Sequence, residues 1–351
     1  MMFIDFVQQH IVKKCTGTSA TVILAAVILS LLCGAVFIAL AGANPLEAYY
    51  DMLKSTLGRY YGVGEVISKS IPLVLIAAGV AIGFYGGQTN LGGDGQFYLG
   101  AIAAVWTGLL FAELPWPLVF ILSWIAACLA GGAWGAIAGV LKAYLNTSEI
   151  IVTIMLNYVS VLFVSFLVHG PLKEKGGFIP QTATLPEELH LPIILEATRA
   201  HAGILVALIA LLTLWFVIHK TVLGYRIRAV GQGLAGARYA GIHCGRYITL
   251  SLFLSGALAG LAGAIEVFGI HHRVLEGISS DFGFTAVIVA LLGRLKPLGI
   301  LGSALLLSGL VVGANAMQVS QGVPVSVVLM LESMMVAFVL LGESYRQTAA
   351  K

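Results

Sequence analysis

Residues 219–247 read HKTVLGYRIRAVGQGLAGARYAGIHCGRY, with Lys220, Arg226, Arg228, Arg238 and Arg246 and no acidic residue. On either side the chain turns apolar, over 202–218 and again over 248–267. Each flank is close to the roughly 17–25 residues that an α-helix needs to cross a bilayer. A basic, Gly- and Ala-rich link between two such flanks belongs on the cytoplasmic side, where positive loops accumulate. Its centre, residues 231–242, is built of small residues and can form a short helix that a partner approaches closely.

The rest of the chain fits the same environment. Apolar residues make up 59% of the 351 residues, charged ones only 10%, and mean hydropathy is +0.98. Soluble domains carry about 25% charged residues, so composition excludes a soluble globular class. Net charge is only +3 and the basic residues are spread through loops, which leaves no nucleic-acid footprint. Cys15, Cys33, Cys128 and Cys244 show no CxxC spacing, so neither a disulfide framework nor a zinc site is indicated.

Taken in order, the hydropathy pattern predicts an all-α polytopic membrane protein of about ten transmembrane helices. They fall at 20–41, 71–85, 97–111, 118–141, 150–168, 202–218, 248–267, 284–292, 298–316 and 325–341. Residues 1–19 are a cytoplasmic N-terminal segment, 20–341 the transmembrane domain and 342–351 a cytoplasmic tail. Ala41-Gly42-Ala43 has the look of a cleavage site, but the apolar run before it exceeds the roughly 7–15 residues of a signal peptide. The first span is therefore read as retained. The aromatic-rich stretch 44–70 suits an interfacial helix. Residues 170–201, with Pro171, Pro180, Pro186 and Pro192, are an outer, partly structured loop. With both termini inside, basic residues favour the inner loops. Gly131, Gly135 and Gly139 in one span, and Gly256 and Gly260 in another, predict close approach of neighbouring helices.

Two Gly-rich breaks, at 86–96 and 277–283, each precede an unusually short span, one facing inward and the other outward. That arrangement predicts inverted repeats, with two broken helices beside a solute path. Polar groups at membrane depth are Asn90, Asp94 and Gln96 in the first break, Asn157 at 150–168, Glu266 and Glu332. Such groups face a cavity or a partner, and Asn157 and Glu332 equally suit structural hydrogen bonds. The first-break cluster is the better candidate for lining a path, because Gly92, Gly93 and Gly95 expose backbone beside it.

Signatures of catalysis are absent. No lysine follows glycine and precedes Ser or Thr, so the chain has no P-loop, and neither HExxH nor GxSxG occurs. His271 and His272 are adjacent without a third ligand, so no metal site is expected. The chain reads as a non-enzyme with no cofactor of its own.

NLGGDGQ at 90–96 resembles an element of permease subunits in ATP-binding-cassette (ABC) importers for nucleosides and simple sugars. So do NPLEAY at 44–49, TIMLNY at 153–158, GPLK at 170–173, LGYRIRAVG at 223–231, ARYAGI at 237–242, LSGALAGLAGA at 254–264 and ALLGRLKPLG at 290–299. The set, in this order, resembles the branched-chain amino acid/ribose-type permease family, nearest its nucleoside branch. It departs at Gly93 and Asp94, where the family more often has Ala and Glu. The resemblance implies a bacterial inner (plasma) membrane subunit that translocates nucleosides or related simple sugars. It implies a separate ABC ATPase that binds ATP and Mg²⁺, a second permease forming a heterodimer or a homodimer, and an extracytoplasmic substrate-binding protein. It also implies that the 219–247 loop couples to the ATPase through Arg226, Arg228, Gly231, Ala237, Arg238, Tyr239 and Gly241. The solute path would be lined by Asn90, Asp94, Gln96 and Asn157, with Phe282 and Phe284 placed to stack on bases. The alternatives are an ion-gradient-driven secondary transporter that uses Glu332 or Asp94 as its coupling carboxylate, and a membrane scaffold.

Overall fold

The computed structural model describes residues 19–341, apart from position 280 and scattered positions between 325 and 340. The helices are α1 (Ser19–Leu40), α2 (Pro45–Thr56), α3 (Tyr60–Tyr85), α4 (Gly93–Leu110), α5 (Trp116–Leu145) and α6 (Glu149–His169). They continue with α7 (Gly203–Lys220), α8 (Val222–Gln232), α9 (Leu234–Tyr239), α10 (Cys244–Glu266), α11 (Phe282–Leu292) and α12 (Pro297–Gln321). Described residues between 326 and 341 are also helical. Among the described residues the only β-pairing is two isolated bridges.

Among the described residues six helices are long and apolar enough to span a membrane: α3, α5, α6, α7, α10 with its extension to His271, and α12. The bent pair Ile28–Leu40 and Pro45–Thr56, turned by 118°, makes a seventh if counted as one span. The bend has a local cause. Asn44 Oδ1 accepts from the Leu46 amide at 3.1 Å, and Pro45 opens α2, so a new helix starts where the first one stops. Of the other expected spans, α4 begins with the polar turn GDGQ, α11 is a single short helix, and 325–341 lies partly outside the described residues. Glu332 is also outside them, as are residues 1–18 and 342–351.

Some boundaries differ from expectation. The second span runs from Tyr60, not from 71, and leaves only α2 as the short helix of the 44–70 stretch. Ser68 and Glu65 explain the extra turns: the Ser68 hydroxyl donates to the Arg199 carbonyl, and Glu65 lies 3.6 Å from the Arg199 guanidinium. Polar residues that looked like the end of a span are neutralised there by the 170–201 segment.

The chain divides into two compact units, residues 64–305 and the remainder. The second unit has its own core of Ile38, Ala48, Ala314 and Met317, tied by a Gln321 to Asp51 hydrogen bond of 2.9 Å. Within the first, α10 packs against α5 and α4. A Cβ on Gly260 would stand 2.3 Å from the Ala127 carbonyl oxygen, one on Gly131 2.4 Å from that of Gly256, and one on Gly100 2.2 Å from Gly260 Cα. These backbones touch, as the four-residue glycine spacing predicted.

Residues 170–201 fold back on the far end of α10. Thr182 N donates to Val274 O, Leu185 N to His272 O and Leu191 N to Phe268 O, at 2.8–3.1 Å. The segment thus pairs its backbone against a π-helical turn, Val267–His271, that continues α10.

Candidate functional site

The first break begins where α3 ends. Gly87 takes a left-handed conformation, φ +73°, and the chain then runs non-helically from 88 to 92 before α4 starts. Leaving a helix inside an apolar layer strands backbone amides and carbonyls, and each needs a partner. Asn90 and Asn157 supply them. Asn90 Oδ1 accepts from the Gly92 amide at 2.9 Å and from Gln96 Nε2 at 3.2 Å. Its Nδ2 donates to Gln96 Oε1 and to Ser255 Oγ on α10, both at 2.8 Å. Asn157, from α6, accepts from Gly95 N and donates to Leu91 O, again at 2.8 Å each. Thr153 Oγ1, one helical turn earlier, accepts from Leu91 N at 3.3 Å.

Asp94 joins this break to the second one. Its Oδ1 accepts from Ser279 Oγ at 2.6 Å and from the Gly283 amide at 2.8 Å. Ser279 N in turn donates to Tyr98 OH at 3.2 Å. The two short helices meet by their N-termini: a Cβ on Gly283 would lie 2.3 Å from Asp94 N, and one on Gly93 2.9 Å from Gly283 Cα. One carboxylate therefore sits in the first turn of α4 and at the first turn of α11, where both helix dipoles favour negative charge. Asp94 Oδ2 is buried with no hydrogen-bond partner among the described residues.

The polar residues expected at the path are thus brought together. Asn90, Asp94, Gln96 and Asn157 are all buried, and their hydrogen bonds go to backbone, to one another and to the hydroxyls of Ser255 and Ser279. Phe282 is buried with its ring 6.0 Å from that of Phe97, whereas Phe284 is exposed. Sequence reasoning did not assign Thr153, Ser255, Ser279 or Tyr98 to this network. Their partners lie far off in the chain, and no local pattern marks them.

The 219–247 loop holds the short helix expected within 231–242, as α9, and a second helix before it, α8. Thr221 caps α8 by accepting from Gly224 N at 3.1 Å, and Gly224, Ile227 and Val230 form its buried face. At Gly233 the backbone extends, and α9 follows. Ala237 is buried with Val230, Cys244 and Ile248, which seats α9 on the start of α10. Arg226 folds back, its Nη1 donating to Tyr247 OH at 2.7 Å. Arg228 is half-buried, and its Nε has no hydrogen-bond partner among the described residues. Gly231 lies against the backbone of Tyr85 to Gly87. At the end of α9 Arg238 is exposed, Tyr239 is 98% exposed, and the chain turns at Gly241, φ +76°.

A family model described as the branched-chain amino acid transport system / permease component matches residues 62–341. The chain belongs to that family. This permease is therefore a multi-pass membrane protein and a component of a transport system rather than a catalyst. It is 37% identical over 320 residues to the guanosine ABC transporter permease protein NupP of Bacillus subtilis, covering 90% of this chain and 91% of the relative. It is 34% identical to the nucleoside ABC transporter permease protein NupB of Lactococcus lactis, covering 90% and 89%. The glucose ABC transporter permease protein TsgB13 of Haloferax volcanii is 31% identical, with 94% and 88% covered. In Bacillus subtilis and Lactococcus lactis a second, less similar permease carries the same guanosine or nucleoside designation. No solved structure matches the chain.

Proposed function

We propose that this permease is the membrane subunit of an ABC importer for nucleosides, with related simple sugars as the second reading. The observation that carries the proposal is 37% identity to a guanosine permease across about nine-tenths of both chains. The sugar reading rests on the 31% identity to a glucose permease. The chain crosses a bacterial inner membrane about ten times with both ends in the cytoplasm, which places 219–247 inside and 170–201 outside. It works beside a second permease, and the paired designations among its relatives favour a heterodimer.

In this reading the fuel is spent elsewhere. A separate ATPase binds ATP and Mg²⁺ and grips the permease at α9, through exposed Arg238 and Tyr239. An arginine at a protruding helix end fits an acidic rim, and its planar fork fixes orientation. A substrate-binding protein delivers solute from outside. The junction of the two breaks is where the path opens, because two short helices meeting end to end can part without unwinding a full span. Phe284, the exposed aromatic of α11, is the side chain free to stack on a base.

The test is uptake of labelled guanosine by cells carrying or lacking this gene, with unlabelled guanosine, glucose and ribose as competitors. The nucleoside reading expects guanosine to abolish the gene-dependent uptake and the two sugars to leave it intact. Competition by glucose alone would move the assignment to sugars.

A further inference from the structure

At Gly231 the main chain of the cytoplasmic helix α8 meets the main chain of the first break directly. A Cβ on Gly231 would stand 2.2 Å from the Tyr85 carbonyl oxygen, 2.8 Å from Gly87 N and 2.9 Å from Gly86 C. From the other side, a Cβ on Gly87 would lie 3.0 Å from Gly231 Cα. Two stretches of main chain are in van der Waals contact, more than a hundred residues apart in sequence. Glycine at 87 is also needed for its positive φ. Helix propensity gives no reason for glycine at 231, because any other common residue except proline would favour the helix more.

The elbow at 85–87 is held on its other sides as well. The Tyr85 hydroxyl donates to Leu295 O at 3.2 Å, and its ring meets that of His219 edge-on at 6.2 Å. A Cβ on Gly86 would lie 2.9 Å from Ser251 Oγ on α10. Three residues beyond Gly87 stands Asn90, bonded to α10, and a little further along Gly95 bonds to α6 and Asp94 to the start of α11.

We infer that the Gly231–Gly87 contact is the joint through which motion of the docking helices reaches the broken helices. Gly231, which the resemblance placed among the ATPase contacts, is a positioning residue that acts through the elbow, with Arg238 and Tyr239 keeping the docking role. At Gly231 the nearest atoms across the contact are backbone, so a displacement of α8 toward the break at that point is not taken up by side-chain rotation. It moves Gly87, and the hydrogen-bonded break carries the movement to the junction of α4 and α11. The joint rests on the importer reading.

The experiment uses the whole transporter, purified with its ATPase and second permease, reconstituted in proteoliposomes and supplied with its binding protein. ATP hydrolysis and guanosine uptake are measured together. For Gly231→Ala the joint predicts hydrolysis within twofold of wild type and at least a tenfold rise in ATP spent per guanosine, with Gly87→Ala behaving alike. Gly302→Ala, where an added Cβ meets nothing within 4 Å, should leave the ratio unchanged. A merely structural role would lower hydrolysis and uptake in proportion, and that result, or an unchanged ratio, overturns the joint. Where the alanine variants do not accumulate, Thr89→Cys in the wild-type background decides. Its labelling rate with a maleimide should change at least fivefold between ATP-free and vanadate-trapped transporter, and a constant rate overturns the joint. Wild-type vesicles that accumulate no guanosine on ATP overturn the importer reading itself and the joint with it.

Discussion

Asn157 holds the first break at two points with one side chain, accepting from Gly95 N and donating to Leu91 O. An apolar replacement strands a buried donor and a buried acceptor, each costing about 1–3 kcal/mol. Asn157→Leu should therefore lower the melting temperature of the purified permease by several degrees, while Asn157→Asp, which keeps the acceptor, should lower it less. Equal melting for wild type and Asn157→Leu would mean that the break is held by other contacts. The sequence announced this residue type at this depth but not its role. An asparagine in an apolar helix signals a hydrogen bond, and only the fold says that its partner is the backbone of residues 91 and 95. Ser255 and Ser279 were less legible still, because a serine among alanines and glycines looks like any small packing residue.

At the scale of elements, the glycine spacing was readable because its physics is local to each helix. A four-residue repeat of glycine makes a groove, and α10 lies along the groove of α5. Gly260→Val adds three carbons, the first of them only 2.3 Å from Ala127 O and 3.1 Å from Gly131 Cα. Overpacking of this kind costs roughly 1–3 kcal/mol or more, so the variant should accumulate in membranes at well under half the wild-type level, measured by quantitative immunoblot. Accumulation at the wild-type level would contradict the backbone contact. Helix ends were less legible. The second span is expected from 71 because the mixed, aromatic-rich 44–70 stretch suits an interfacial helix, yet Arg199 from a distant segment meets Glu65 and Ser68 within it.

The seat of 170–201 on the π-helical turn carries a pH dependence. The His190 and His272 rings stack with centroids 3.6 Å apart, and Gly269 and Gly203 close over the buried His201 ring. Burial, with His190, His271 and Arg273 nearby, pushes His272 down to about 4. Burial, with His272 nearby, does the same for His201. A histidine whose folded value lies below its ordinary one of about 6.5 binds protons more readily unfolded. Stability from these groups is therefore full above about pH 6.5 and is lost as pH falls toward 4. Proteolysis within 181–195 should quicken between pH 7.5 and pH 5, and His272→Gln should flatten that dependence. A rate independent of pH in the wild type would show that the cluster does not hold the segment.

For the whole molecule, the membrane class, the family and the transport role were legible from composition and ordered motifs, and the comparisons bear them out. What the sequence left out is how its parts join. The basic loop and the Gly-rich break looked like separate features, yet Gly231 rests on the main chain that leads into Asn90. The account's central claim is that this permease moves solute only when an ATPase drives it through 219–247. The direct measurement is guanosine uptake into proteoliposomes of the complete transporter, with and without ATP, under an imposed proton or sodium gradient. The account predicts accumulation only with ATP, abolished in the double variant Arg238→Glu/Tyr239→Ala, which should also lose co-purifying ATPase. Accumulation driven by the ion gradient with ATP withdrawn would contradict it.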